Sequence, residues 1–148
     1  MKQTSSEKRF AAFEIKCREN GLRVTPQRVA IYEELLRART HPTAEQVHAK
    51  VKKRFSTISL NTVNQTLLTF TQVGIADIAE SFGGPRRYDA SIKMHHHVHC
   101  LKCGAILDFY DDNFDQLKIS PKLAREFKIL GSRVVLAGIC KSCSNKPK

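Results

Sequence analysis

The sequence predicts an α+β protein in two parts: a helical first half that ends in a two-stranded hairpin, and a smaller second half of strands with a broken helix. Three observations support this fold class. Apolar residues at helical spacing fill the N-terminal half, short β-prone runs separated by glycines follow, and two Cys-x-x-Cys motifs occur in the C-terminal half.

The first two helices are predicted from apolar spacing and from their ends. A helix over residues 7–20 ends before Gly21, which favours a helix stop. Its apolar members are Phe10, Phe13, Ile15 and Cys17. Thr25 suits the N-cap of a second helix because Pro26 follows at the first helical position.

Two further helices carry their own caps. Thr43 and Gln46 have the spacing of a capping box, and the helix that they start ends near Phe55. Ser59 caps a fourth helix that runs to about Gln72. Its apolar positions, spaced three and four apart, predict one buried face; they are Leu60, Val63, Leu67 and Phe70. Other faces carry Asn61, Asn64 and Gln65, which are left for solvent or a partner.

A hairpin and a second domain follow. Strands over 75–79 and 87–89 flank a Gly-Gly-Pro turn, and helices followed by such a hairpin predict a winged helix-turn-helix whose Arg86 and Arg87 can meet phosphate.

Strands are predicted over 97–100, 105–110 and 133–139, with a helical stretch over 111–127 that restarts at Ser120-Pro121. This α/β part is too small to be stable alone, so we expect a dimer interface to complete its core. We divide the chain into domains 1–86 and 87–148, with a linker at roughly 84–94.

The charge and the absence of apolar segments limit the function classes. Lys and Arg outnumber Asp and Glu by 25 to 14, a net charge of +11 on 148 residues, which favours nucleic acid as partner over a merely solvated basic surface. The N-terminus lacks the apolar run of a secretory signal, and the apolar stretch 134–140 is too short to span a membrane. We therefore expect a cytoplasmic protein without a membrane partner, in which paired cysteines bind metal rather than form disulfides.

The two cysteine motifs predict a structural zinc (Zn2+) site. Its ligands are Cys100, Cys103, Cys140 and Cys143, since four thiolates close a tetrahedral shell and leave no position open for chemistry. Buried free thiols are the alternative. Cys17, on the apolar face of the first helix, is predicted to be a core thiol.

Histidines are concentrated between residues 95 and 99. Alternate residues on a strand share a face, so His95, His97 and His99 fall on one side and His96 on the other. Asp89 and Asp108 are nearby candidate carboxylates, and imidazole with carboxylate suits zinc, iron, manganese or nickel. From the residues alone the choice of ligands stays open, and a solvated histidine-rich loop remains an alternative.

The motifs together resemble the ferric uptake regulator (Fur) superfamily, most closely its peroxide-sensing PerR branch. The segments that match in order are 23–28, 41–45, 58–63, 87–89, 95–104 and 138–143. The resemblance implies a homodimeric repressor, with a winged helix that binds a double-stranded DNA operator and a C-terminal dimerisation domain. It also implies a transcription regulator and not an enzyme.

The resemblance also implies a regulatory metal site for iron (Fe2+) or manganese (Mn2+). Carried over by position, its ligands are His41, Asp89, His95, His97 and Asp108. Asp at position 108 resembles PerR, whereas iron-sensing relatives usually have Glu. In PerR-like chemistry peroxide reacts at ferrous iron and oxidises a ligand histidine, by analogy His41 or His95, and the repressor then releases DNA. A further Fur-type metal site looks incomplete, since His96 and Gly131-Ser132 stand at its positions.

The predicted DNA contacts are Arg23, Arg28, Asn61, Asn64, Gln65 and Arg86. Relatives usually have Tyr at the position of Asn64 and Arg or Asn at that of Gln65, so we expect an operator different from the usual family sequence. His99, before the first zinc cysteine, is also unusual. The main alternative is an iron- or zinc-responsive repressor without peroxide chemistry. A metal-dependent hydrolase is disfavoured because no nucleophile or general base accompanies the site. A structural zinc adaptor is disfavoured because the winged helix is basic.

Overall fold

The computed structural model describes residues 5–38, 40–80, 82–91 and 93–146, which form two compact units. The first unit contains the described residues up to Ala79 and those after Gly84 as far as residue 91. The second contains Glu80–Gly84 and the chain from Lys93 onward. The strand at Arg87–Asp89, which the sequence division at residue 86 assigns to the second domain, pairs with Asp77–Ala79 and belongs to the first unit.

Four helices and a two-stranded sheet make up the first unit. The helices are α1 (Ser5–Glu19), α2 (Pro26–Arg37), α3 (Ala44–Val51) and α4 (Leu60–Gln72), and the antiparallel strands are β1 (Asp77–Ala79) and β2 (Arg87–Asp89). The predicted caps are confirmed: the side chains of Thr25, Thr43 and Ser59 each accept a hydrogen bond from the backbone three residues on, and Gln46 completes the capping box. Each such cap stabilises its helix by about 1 kcal/mol.

The core of the first unit is built on an aromatic cluster. The Phe13 and Tyr32 rings stack with centroids 4.4 Å apart, and Phe70 meets Phe13 edge-on at 5.7 Å. Cys17 is fully buried, which confirms the predicted core thiol, and burial raises the pKa of that thiol. Ile15, counted among the apolar members of this helix, is 50% exposed, because the buried positions Phe13 and Cys17 lie four residues apart and residue 15 falls outside that spacing.

The second unit is a three-stranded sheet with short helices. Strand β3 (His96–Cys100) lies between β4 (Ile106–Phe109), which is antiparallel to it, and β5 (Val135–Gly138), which is parallel to it. The helices are α5 (Asp112–Asp115), α6 (Pro121–Glu126) and α7 (Lys141–Ser144). The predicted restart at Ser120-Pro121 is confirmed, but the helical stretch over 111–127 was too long, because the first helix ends at Asp115 and non-helical chain separates it from the second. No helix among the described residues is both long and apolar enough to cross a membrane.

Candidate metal centres and nucleic-acid interface

Four cysteine thiols of the second unit meet beside the sheet. Cys100 ends β3 and Cys103 lies in the turn after it, whereas Cys140 caps α7 and Cys143 lies within that helix. Their Sγ atoms all lie within 4.8 Å of one another, and those of Cys103 and Cys140 are 3.8 Å apart. A tetrahedral zinc ion with Zn–S bonds of about 2.3 Å needs S–S separations of about 3.8 Å. The four thiols therefore fit one zinc ion.

The backbone places the two cysteine motifs side by side. The Leu101 N–H donates to the Gly138 carbonyl at 2.9 Å, which extends the parallel pairing of β3 and β5 up to the cysteines. Gly104, with φ +73°, closes the first turn by donating its N–H to the Cys100 carbonyl at 2.9 Å. A side chain at this positive φ would be strained, which accounts for the glycine after the first motif.

Hydrogen bonds within the cluster shift the pKa values of Cys100 and Cys143 in opposite directions. The Cys140 N–H donates to Cys100 Sγ at 3.3 Å and, with further backbone N–H groups, lowers the pKa of Cys100 to about 6. The side-chain hydrogen bond with Cys140, together with burial, raises the pKa of Cys143 to about 12. All five cysteines of the described chain are free thiols. A bound divalent cation would supply the positive charge that lets all four sulfurs of the cluster ionise together.

Two histidines and an aspartate form a second donor set in the same unit. His97 and Asp108 are cross-strand partners on β3 and β4, so their side chains leave the same face of the sheet. His95 Nε2 lies 3.0 Å from His97 Nε2, and Asp108 Oδ1 lies 3.5 Å from the former and 3.3 Å from the latter. Ligand atoms about 2.1 Å from one cation are about 3.0 Å apart at right angles and about 3.4 Å apart at tetrahedral angles. These three atoms therefore fit one first-row divalent cation.

The tautomer of His95 suits metal binding. Its Nδ1 lies 2.6 Å from the Lys93 carbonyl, which can only accept, so Nδ1 carries the proton and Nε2 keeps its lone pair. Both imidazoles of the set are fully buried, whereas the Asp108 side chain is 33% exposed. The set is therefore buried on its histidine side and partly exposed on its carboxylate side.

The first unit holds a histidine and an aspartate close together. His41 Nε2 lies 3.5 Å from Asp89 Oδ2, and both side chains are buried. The other carboxylate oxygen of Asp89 accepts the Ser91 N–H at 2.7 Å, which orients the carboxylate. An imidazole and an oriented carboxylate are again ligands of the type that iron and manganese accept.

Backbone contacts fix the segment that carries His41. The Arg87 guanidinium donates to the carbonyls of His41 and Thr40, the latter at 2.8 Å. The Tyr88 N–H donates to the Pro42 carbonyl at 3.0 Å. His41 adopts φ +39°, a conformation that non-glycine residues rarely take unless surrounding contacts impose it. The Arg87 guanidinium thus uses Nε and Nη2 for these carbonyls, and the expectation that it meets phosphate stays a prediction.

His96 and His99 are engaged elsewhere. The Val134 N–H donates to His96 Nδ1 at 3.1 Å, so Nε2 carries the proton and donates to Asp115 Oδ1 at 2.9 Å. The Phe82 N–H donates to His99 Nδ1 at 3.0 Å, and the two rings stack with centroids 5.8 Å apart. Neither histidine belongs to the His95, His97 and Asp108 set.

The predicted DNA contacts differ in how exposed they are. Asn61 and Gln65 on α4 are exposed, as are Arg23 and Arg86. Arg28 is half-buried, and its Nη1 donates to the Arg23 carbonyl at 2.7 Å. Asn64 is also half-buried, and its Oδ1 accepts the Tyr88 hydroxyl at 3.4 Å.

Sequence reasoning missed two residues beside these sites. Tyr88 was predicted only as a strand residue within the matching segment 87–89, although its hydroxyl reaches α4. Glu80 Oε2 lies 3.8 Å from His97 Nδ1 and 3.4 Å from Arg133 Nη1, within the second unit. Both contacts join residues far apart in the chain, and no local pattern signals them.

Comparisons with known proteins show the family of this chain. Residues 19–137 match the ferric uptake regulator family. A peroxide-responsive repressor PerR from Staphylococcus saprophyticus is 34% identical over 129 residues, which is 87% of this chain and 87% of that protein. The ferric uptake regulator from Francisella tularensis with iron superposes with a TM-score of 0.71 at 25% identity, over 84% of this chain and 96% of that one. The Campylobacter jejuni peroxide stress regulator gives a TM-score of 0.65 at 27% identity, over 80% of this chain and 89% of that one.

Proposed function

Because this chain belongs to the ferric uptake regulator family, whose members are metal-responsive DNA-binding repressors, we propose that it is a repressor whose hold on DNA is released by hydrogen peroxide. The observation that carries the proposal is the trio of donor atoms from His95, His97 and Asp108, which are 3.0 to 3.5 Å apart. The staphylococcal relative that matches most of the chain is named for the same response.

We propose that one regulatory ion, Fe2+ or Mn2+, takes all its protein ligands from two parts of the chain. His41 and Asp89 would come from the first unit, and His95, His97 and Asp108 from the second. Three imidazoles and two carboxylates form a mixed nitrogen and oxygen set of the kind that these two metals accept. Such an ion would act as a cross-link between the DNA-binding and dimerisation domains.

Peroxide sensing follows from the position of the imidazoles. Ferrous iron, when bound, would cleave the O–O bond of hydrogen peroxide beside the histidine rings by lending an electron that it takes back as the ring is oxidised, so that the two-electron oxidation of the ring balances the reduction of the peroxide. The imidazole of His41 or His95 then gains one oxygen: a ring C–H becomes a C–O bond, and the second peroxide oxygen leaves as water. An oxidised imidazole is a poorer ligand, so the cross-link weakens and the equilibrium shifts toward the form that releases DNA. Each molecule reacts once, which makes this a signal and not enzymatic turnover.

A separate zinc ion in the cysteine cluster would be structural. The four sulfurs fill a tetrahedral shell, so such an ion has no position left for peroxide or DNA. Its role would be to stabilise the second unit, which has few buried aliphatic side chains among its described residues.

A second copy of the chain is the proposed partner of the second unit. Val98 on β3 lies between Leu107 on β4 and Leu136 on β5, and these form an apolar row on the sheet face opposite His97. Leu107 is 55% exposed and Leu136 is 41% exposed in the single chain. Regulators of this family are DNA-binding dimers, and a self-complementary contact would cover this row.

The proposed DNA surface consists of the exposed part of α4 and nearby arginines. The residues proposed to contact DNA are Arg23, Arg28, Asn61, Asn64, Gln65 and Arg86. The helix-turn-helix made by α3 and α4 would place α4 in the major groove, with the arginines on phosphates.

The function is tested by mass spectrometry of peptides after peroxide treatment. Ferrous and manganous protein are treated in parallel, and we expect one added oxygen on the peptide carrying His41 or His95 in the ferrous sample alone. The Fur-like alternative, an iron- or zinc-responsive repressor, draws support from the similarity to the Francisella tularensis regulator with iron. Unmodified histidines in the ferrous sample would favour that alternative and exclude peroxide sensing by histidine oxidation.

A further inference from the structure

The side chain of Asn64 on α4 is held by a buried tyrosine. Tyr88 is only 1% exposed, and its ring belongs to the core of the first unit, so its hydroxyl has a fixed position. That hydroxyl donates to Asn64 Oδ1 at 3.4 Å. A buried tyrosine hydroxyl requires a polar partner, and here the partner lies on the helix proposed to read DNA.

This contact engages the oxygen of the Asn64 amide and not its NH2 group. The amide oxygen is an acceptor, and the NH2 group carries two donors. An asparagine that reads adenine uses both ends, because adenine presents an acceptor at N7 and a donor at N6. With its oxygen turned to Tyr88, Asn64 is left with the NH2 group, which matches the two adjacent acceptors of guanine, N7 and O6.

The position of Asn64 allows it to reach a base edge. It lies one helical turn after Asn61 and directly before Gln65, both of which are exposed. In a helix-turn-helix the N-terminal part of the second helix contacts the bases, and α4 begins at Leu60. Asn64 therefore lies in the turn of α4 closest to the proposed contact.

We propose that Tyr88 is a specificity-determining residue, which orients Asn64 as a donor-only reader and selects guanine over adenine at one position of each operator half-site. This inference rests on the proposed DNA-binding function. It further specifies which base Asn64 selects. Tyr88 is buried and would act on DNA only through Asn64.

The test is selection of bound sequences from a random duplex library, with the full-length manganese-loaded protein. The Asn64→Ala variant first identifies the operator position, since base preference there should flatten. At that position the unchanged protein should prefer guanine over adenine by roughly five- to tenfold. The Tyr88→Phe variant keeps the ring and removes only the hydroxyl, so the preference should move toward adenine.

A matched control is available in the same core. Tyr32 is 5% exposed and its hydroxyl donates to the Arg9 carbonyl at 3.2 Å, not to α4. The Tyr32→Phe variant should leave the selected sequence unchanged, and thermal melts and manganese titrations of both variants verify folding and metal loading. Adenine selected by the unchanged protein at the Asn64 position, or the same preference in the Tyr88→Phe variant, would overturn the inference. If the unchanged protein selects no sequence at all, the proposed function fails and the inference with it.

Discussion

The Nε2 atoms of His95 and His97 face each other at 3.0 Å, and the Asp108 carboxylate lies within 3.5 Å of both. Two imidazole nitrogens approach this closely either by sharing a proton or by binding one cation. The register of β3 and β4 and the hydrogen bond from His95 to the Lys93 carbonyl fix the positions of these side chains. The second unit therefore contributes a preorganised half of the proposed regulatory site.

Asp108→Asn is predicted to weaken regulatory metal binding. The substitution removes the charge of a proposed ligand, so manganese affinity should fall by at least about tenfold. Asp115→Asn is the matched control, because Asp115 contacts His96 and not the metal set, and the asparagine oxygen can still accept from that ring. Its manganese affinity should change little. Calorimetric titration of both variants measures this, and equal affinities would exclude Asp108 as a ligand.

Cys103→Ser is predicted to abolish zinc retention. A hydroxyl is a much weaker zinc ligand than a thiolate, so the purified variant should lack zinc and should melt at a lower temperature. Cys17→Ala is the control: it removes a thiol that is fully buried in the first unit, and should cost about 1–2 kcal/mol of unfolding free energy while zinc content stays at one ion per chain. Elemental analysis with calorimetry gives both quantities. Full zinc content in the Cys103→Ser variant would contradict the four-thiol assignment.

Two adjacent arginines are predicted to act differently. Arg86 is exposed, so Arg86→Ala should weaken DNA binding and reduce the salt dependence of the binding constant by about one phosphate contact. Arg87 binds the carbonyls around His41, so Arg87→Ala should mainly lower manganese affinity by loosening that segment. DNA titrations at several salt concentrations and manganese titrations separate the two effects. Identical behaviour of the two variants in both assays would contradict this division.

Leu107→Asp is predicted to disrupt the dimer. A carboxylate in the row formed with Val98 and Leu136 would be buried without a partner in the proposed interface, at a cost of several kcal/mol. Leu101→Asp is the control, since Leu101 is equally exposed but lies in the cysteine turn outside this row. Sedimentation velocity should show a monomer for the first variant and a dimer for the second. A stable dimer of the Leu107→Asp variant would place the interface elsewhere.

The helical part of the first unit could be predicted because its signals are local. Three helices are capped by a side chain that binds a backbone N–H three residues later; the capping residues are Thr25, Thr43 and Ser59. Caps of this kind can be predicted from the sequence because both partners are close together in the chain. In the stretch after Asp111 the restart at Ser120 was predicted from its local signal, whereas the early end of the first short helix at Asp115 was not.

The residue types of the candidate sites could be predicted from the sequence, but the contacts of individual side chains could not. The cysteine spacing pointed to the cluster that the structure brings together. The separate engagement of His96 depends on Asp115 and Val134, which are distant in the chain. The contact of Tyr88 with Asn64 likewise depends on how β2 packs beside α4, which no sequence pattern specifies.

The most direct test of the account is a DNA-binding titration of the ferrous and manganous forms, each with and without hydrogen peroxide. We expect peroxide to release DNA from the ferrous form alone, in step with oxygen added to His41 or His95. If both forms keep their DNA in peroxide and release it only when the metal is chelated, the protein senses metal alone and the proposed peroxide chemistry is contradicted.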